Sequence, residues 1–234
     1  MTDSACPPLV LDIDGTLTRP DHGIDPRVFD PIREWPAPVV IATGKAFPYP
    51  IALCQFIGID QCVIAENGGV AYVDDQILFH VGGEDDGPGR SAAFDAVDAF
   101  VESGGVLGWG ESDLVNRWRE TEVAVQLDAD EELLRGLADE YDVEVIDTGY
   151  AFHVKDATIS KGQMLERVAT VLDYETHEFV AVGDSENDVS TFEIVGESYA
   201  TANADAAAKA AADVVLDDEH ATGTLSVLDE LRRR

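Results

Sequence analysis

Lysine is scarce in this chain. Four occur among 234 residues, Lys45, Lys155, Lys161 and Lys209, and all basic residues together number 15 against 47 acidic ones, a formal net charge of −32. A surface so short of cations does not gather a phosphate backbone, so nucleic acid is excluded as a partner. Long apolar runs are missing too. None approaches the roughly 20 residues that cross a bilayer, and the first residues lack the basic-then-apolar pattern of a secretion signal. No membrane partner and a cytoplasmic location are therefore expected. Cysteine is rare: Cys6, Cys54 and Cys62 make an odd count without metal-ligand spacing. That excludes a thiolate metal site and a disulfide framework, and argues for a reducing compartment. Cys54 and Cys62 lie in apolar stretches and read as buried thiols.

What is present is a globular composition, 45% hydrophobic, and enough chain for a sizeable core in one domain or one domain plus an insert. The acids are spread along the whole sequence rather than gathered in a tail. Their mutual repulsion destabilises a compact state at low ionic strength. At molar salt the Debye length falls to about 3 Å and most of that penalty disappears. The distribution favours a surface adapted to a salt-rich, halophile-like cytoplasm over one shaped for a basic partner.

Strand-like and helix-like segments alternate. Apolar runs at 9–14, 39–42 and 62–65 read as strands, and 70–73 and 77–81 as a hairpin about Asp74-Asp75-Gln76. Helices are expected at 26–34 and at 51–57, the latter with its start disturbed by Pro48 and Pro50. The Gly- and acid-rich stretch 82–89 reads as a linker. Beyond it come a helix at 91–101, a strand at 121–127, a helix at 131–141 capped by Asp128 or Asp130, and strands at 143–146 and 150–155. The alternating pattern then resumes, with helices at 162–172, 189–195, 204–212 and 223–231 and strands at 179–182 and 214–216. This order predicts an α/β fold with a doubly wound parallel sheet, in a discontinuous core of residues 1–83 and 156–234. Residues 84–155 form an inserted α+β unit.

The first strand ends in Asp12-Ile13-Asp14-Gly15-Thr16. Residues two apart in an extended segment share a face, so Asp12 and Asp14 place like charges side by side. Such a pair is costly unless a cation lies between them. It points to a divalent metal, a carboxylate nucleophile and phosphoryl chemistry. Thr43-Gly44 ends the second strand and Gly183-Asp184 a later one. All three therefore lie at strand carboxyl ends, where doubly wound folds bind ligands.

Asp12 to Thr16, Thr43, Ser160-Lys161-Gly162 and Gly183-Asp184-Ser185-Glu186-Asn187-Asp188, in this order, resemble the haloacid dehalogenase superfamily of aspartate-nucleophile phosphatases. The resemblance implies that Asp12 attacks phosphorus and that Asp14 protonates the leaving alkoxide and then activates water. It implies that Thr43, with backbone N–H groups at Gly44, holds a phosphoryl oxygen and that Lys161 neutralises charge there. Mg²⁺ would sit on the carboxylates of Asp12, Asp184 and Asp188 and the main-chain carbonyl of Asp14. Asn187 would orient the loop or the ligand.

The insert lies between the second and third motifs, which resembles the Cof-like subclass with its cap after the third strand. Glu66-Asn67-Gly68-Gly69 fits that subclass as well. Within the insert, Asn116-Arg117-Trp118-Arg119-Glu120 and Gly149-Tyr150-Ala151-Phe152-His153 look like the archaeal phosphoglycolate phosphatases. That likeness implies hydrolysis of 2-phosphoglycolate, with sugar-phosphate or broad small-molecule phosphatase activity and a non-catalytic phospho-ligand sensor as alternatives. Arg117 or Arg119 would read the substrate carboxylate, or else pair with Glu120 or Glu122. Trp118 and Phe152 are expected to pack rather than to stack on ligand. Residues 155–159 depart from the family pattern. Monomer and homodimer both remain open.

Overall fold

The computed structural model describes residues 6–80 and 92–234, so the expected linker at 82–89 lies outside the described residues. The elements run β1 (Leu9–Leu11), α1 (Phe29–Arg33), β2 (Val39–Ala42), α2 (Pro48–Ile57), β3 (Val63–Ala65), β4 (Val70–Val73) and β5 (Gln76–Phe79). Next come α3 (Ala92–Glu102), β6 (Val123–Val125), α4 (Glu131–Glu140), β7 (Val143–Asp147) and β8 (Phe152–Asp156). The chain continues with α5 (Lys161–Leu172), β9 (Val180–Gly183), α6 (Val189–Phe192), β10 (Glu197–Ala200), α7 (Ala206–Ala211), β11 (Val214–Val215) and α8 (His220–Leu231).

Among the described residues one sheet has eight strands in the order β11-β10-β9-β1-β2-β3-β4-β5. The strands from β11 to β3 are parallel, and β4 and β5 add an antiparallel hairpin at one edge. Asp74 and Asp75 both take left-handed φ angles, 47° and 59°, which suit the tight two-residue turn of that hairpin. Every residue of β1, β2, β3 and β9 is buried, as a parallel sheet covered on both faces requires. Leu9, Leu11, Ile41 and Val182 face a core that includes Leu53 and Ile57 of α2 and Val227 and Leu228 of α8. Val10, Val40 and Ala181 face the opposite core, built on Met164, Leu165 and Val168 of α5 and Phe192 of α6. Each such fully buried large side chain contributes about 1.5–3 kcal/mol.

A second, three-stranded antiparallel sheet has the order β6-β8-β7, and α3 and α4 cover it. Its apolar cluster, centred on Phe100, Leu134 and Phe152, shares no residue with the other two. Asp130 caps α4 by accepting from Leu133 N–H at 3.1 Å, which decides between the two expected caps.

Some boundaries differ from the sequence reading for local reasons. Helix α2 begins at Pro48 rather than 51, because a proline in the first turn forfeits an N–H that has no helical acceptor there. Strand β1 stops at Leu11 because Leu17 N–H bonds back to Ile13 C=O at 2.9 Å, turning the chain. Gly15 makes that turn with φ 79°, and a Cβ there would collide with the Asp184 carboxylate. Helix α6 is only Val189–Phe192. The divergent stretch 155–159 is held by buried Lys155, which donates to Ile159 C=O at 2.6 Å and to Glu144 Oε2 at 3.0 Å.

Candidate active site

Register brings the motifs together. Leu11 pairs with Ile41 on one side and Val182 on the other, so the chain leaves all three strands at one level. Asp12 N–H donates to Val182 C=O at 3.1 Å and Thr43 N–H to Ile64 C=O at 2.8 Å. The chain winds from β1 through β2 to β3 on one side, then returns to β9 on the other. The site thus lies where the winding direction reverses.

Lys161 joins the motifs physically. Ser160 caps α5 by accepting from Gln163 N–H at 3.2 Å, which fixes Lys161 at the first helical position. Its Nζ donates to Asp12 Oδ1 and to Asp188 Oδ1, both at 2.7 Å, and to Asn187 Oδ1 at 3.2 Å. The other oxygen of Asp188 accepts from Asp184 N–H at 2.9 Å and Ser185 N–H at 3.1 Å. Thr16 Oγ1 donates to Asp184 Oδ1 at 3.2 Å, and Asn203 Nδ2 reaches Asp184 Oδ2 at 3.3 Å. Thr43 is buried, its Oγ1 accepting from Lys45 N–H at 3.1 Å.

The charge balance is uneven. Asp12, Asp184 and Asp188 each present a ligand oxygen within 4.8 Å of the others, against the single Lys161 cation. Burial and the Asp188 and Asp14 charges push Asp12 up to about 7 despite Lys161. Burial and the Asp12 and Asp188 charges push Asp184 up to about 9. Burial alone would lower Lys161, but Asp12 and Asp188 outweigh it and hold the ammonium charged. Lys161, in contact with two of the three carboxylates, is thus firmly protonated while the acids stay short of positive charge. Oxygen donors clustered in this way could hold a divalent metal ion. The carboxylate of Asp14 lies outside the triad and pairs with Lys45 Nζ at 2.9 Å.

A second buried polar cluster adjoins the first. Glu66 and Asn67 adopt left-handed φ angles, 51° and 55°, in the turn after β3. Glu66 Oε2 accepts from Glu120 N–H at 2.9 Å and from Thr121 N–H and Oγ1 at 2.8 Å each, tying the turn to the segment before β6. Asn67 Nδ2 donates to Glu122 Oε2 at 2.7 Å, while its Oδ1 accepts from Asn187 Nδ2 at 2.8 Å. Glu122 also pairs with Arg119 and with His153 Nδ1, the latter at 2.8 Å. Burial opposes its ionisation, but His153, Arg119 and Asn67 together hold it down to about 2.

The structure therefore gathers Asp12, Asp14, Thr43, Gly44, Lys161, Asp184 and Asp188 at one end of the sheet. Of the two arginines, Arg119 is buried in the pair with Glu122, the second of the roles the sequence left open. Arg117 lies 6.0 Å from the centre of the Trp118 ring. Phe152 is buried in the small core as expected, whereas Trp118 is 44% exposed. Asn203 escaped the sequence reading, since no spacing links it to a motif; Glu122 entered it only as a pairing option for the arginines and His153 only as part of the 149–153 stretch, with nothing to join the two. Lys45 did carry a signal, as one of four lysines directly after Thr43-Gly44.

The model of the haloacid dehalogenase-like hydrolases matches residues 9–84 and 122–228. A Halorubrum lacusprofundi protein named phosphoglycolate phosphatase is 57% identical over 230 residues, covering 97% of this chain and 98% of its own. A protein of the same name from Methanosarcina acetivorans is 34% identical, covering 95% of each chain. Among solved structures, Thermoplasma acidophilum 0175 superposes with a TM-score of 0.82 over 97% of this chain and 99% of its own, at 24% identity. A haloacid dehalogenase-like hydrolase from B. subtilis gives 0.75 at 20% identity over 96% and 99%. With the matched model spanning both halves of the site, the chain belongs to the haloacid dehalogenase-like hydrolases.

Proposed function

We propose that the chain is a Mg²⁺-dependent phosphomonoesterase that converts 2-phosphoglycolate to glycolate and phosphate. The observation that carries the reading is the Lys161 bridge between Asp12 and Asp188 at the reversal of the sheet, 2.7 Å from each. The names of the full-length relatives support the substrate.

In this reading an Asp12 oxygen attacks phosphorus as the bond to the ester oxygen breaks, leaving an aspartyl-phosphate. Asp14 gives its proton to the departing alkoxide, which leaves as glycolate. Asp14 then takes a proton from water, the water oxygen bonds to phosphorus, and the phosphorus–Asp12 bond breaks to release phosphate. Thr43 Oγ1 and the N–H groups beside Gly44 hold the non-bridging oxygens, and Lys161 balances their charge. Asp12, Asp184 and Asp188, with the Asp14 carbonyl, would hold Mg²⁺, which supplies further charge neutralisation when bound. Residues 84–155 serve as a substrate-selecting cap over the strand ends of a cytoplasmic enzyme.

A phosphate-release assay in molar KCl tests this, using 2-phosphoglycolate, hexose phosphates and simple alkyl phosphates with Mg²⁺ or a chelator. Mg²⁺-dependent release with at least about tenfold preference for 2-phosphoglycolate is expected. Comparable rates on hexose phosphates count against the narrow substrate. No release from any ester points to a phospho-ligand sensor.

A further inference from the structure

We infer that Lys45 is the specificity-determining residue that recognises the second negative charge of the substrate, its carboxylate. The inference rests on the phosphoglycolate reading above.

Position is the first argument. The Lys45 ammonium lies 2.9 Å from Asp14 Oδ2. Asp14, in its acid–base role, must reach the ester oxygen. Lys45 therefore stands one hydrogen-bond length from the carboxyl that must reach that oxygen. In 2-phosphoglycolate a single methylene joins the ester oxygen to the carboxylate, so the carboxylate has to lie beside Asp14. A carboxylate there needs a cation beside it, and Lys45 is that cation.

Elimination is the second. Lys161 is wholly buried and engaged by Asp12 and Asp188. Arg119 is buried against Glu122, whose carboxyl is held well below its ordinary range and so stays ionised in the pair. Arg117 keeps its guanidinium by Trp118. The Lys45 side chain is instead 30% exposed beside a 37% exposed Asp14 partner, so a ligand can reach it.

The third is enclosure. The Tyr150 ring, from the turn between β7 and β8, lies with its centroid 5.3 Å from Lys45 Nζ. Trp109 stacks on Tyr150 at 5.8 Å and an interplanar angle of 21°. The smaller domain thus contributes an aromatic wall to the cation, which holds it in place and lowers its hydration. Lys45 N–H also bonds Thr43 Oγ1 at 3.1 Å, so the backbone that presents Lys45 is fixed to the phosphate-binding threonine. The spacing selects short acids: a longer chain carries its carboxylate past Lys45, and a neutral tail gains nothing from it.

The test compares kcat/KM on 2-phosphoglycolate and on ethyl phosphate, its uncharged-tail counterpart, for the wild type, Lys45→Met and Lys45→Arg. Thermal melts confirm that each variant folds. Lys45→Met should lose at least about thirtyfold more on 2-phosphoglycolate than on ethyl phosphate, the loss of one charge-assisted contact, with much of it in KM. Lys45→Arg should recover most of the preference. Equal losses on both esters would mean that Lys45 acts through Asp14 alone, and an unchanged preference would mean that another cation reads the carboxylate. Either result overturns the inference and leaves the phosphoglycolate reading standing. A wild type that does not favour 2-phosphoglycolate overturns both.

Discussion

Two buried polar clusters meet at Asn67, and they are built on opposite principles. Around Asp12 three carboxylates crowd together with one ammonium, which contacts two of them, and burial pushes two of those acids far above their usual range. Around Glu122 one carboxylate has Arg119, His153 and Asn67 as partners and is held far below it. The first cluster is left short of positive charge by its own residues, as a site for a cation and a phosphoryl group has to be. In the second, Glu122 has its cations and Glu66 has the Glu120 and Thr121 N–H groups, although burial and the Glu122 charge still push Glu66 up to about 7. Both are buried and charged, so burial alone does not mark an active site. What sets the first apart is three ligand oxygens converging within 4.8 Å of one another.

The contrast can be broken at several points. The largest effect is expected from Asp12→Asn, which removes the proposed nucleophile. Turnover of 2-phosphoglycolate should fall by at least about a thousandfold. Circular dichroism and melting should show the fold intact, since β1 is anchored by Leu9 and Leu11 rather than by Asp12.

Next comes Glu122→Gln, which leaves Arg119 and His153 without their anion. Urea unfolding should show a loss of about 3 kcal/mol. The pH dependence has a definite sign. Glu122 is held down to about 2 from an ordinary 4.5, so its contribution is complete above pH 4.5 and is lost as pH falls from 4.5 towards 2. The Glu122→Gln stability curve should be flatter than the wild type across that window, and parallel curves would contradict the pairing.

The smallest effect has the opposite sign. Asp184→Asn removes a carboxyl that burial and its acidic neighbours keep protonated well above its ordinary range, and should stabilise the metal-free protein at neutral pH by about 1 kcal/mol while activity with Mg²⁺ collapses. A destabilised Asp184→Asn protein would put the two clusters in the same structural class.

The two clusters also differed in how much the sequence disclosed. Asp12 and Asp14 share a face by strand geometry, and Asp184 and Asp188 follow one strand by a fixed short spacing. Local rules therefore foretold the parallel sheet and the acids gathered at its strand ends, while Lys161 near a helix start came from the family resemblance. The junction had no such signal. Glu122 meets Asn67 and His153 only through folding, and a lone Glu or His in an acid-rich chain says nothing of its partner. Arg119 had two plausible roles until the fold brought Glu122 to it. Helix α2 began earlier than expected because Pro48 acts by its position in the helix, which composition alone does not give.

The central claim is that phosphorus passes through a covalent bond to Asp12. Its most direct test is acid quenching of the enzyme during turnover of phosphate-radiolabelled 2-phosphoglycolate with Mg²⁺ in molar KCl, followed by peptide mapping. The expected result is acid-stable, alkali-labile label on the peptide containing Asp12, none in Asp12→Asn, and none when a chelator replaces Mg²⁺. Phosphate release that continues in Asp12→Asn, with no label on the wild-type protein, would contradict it.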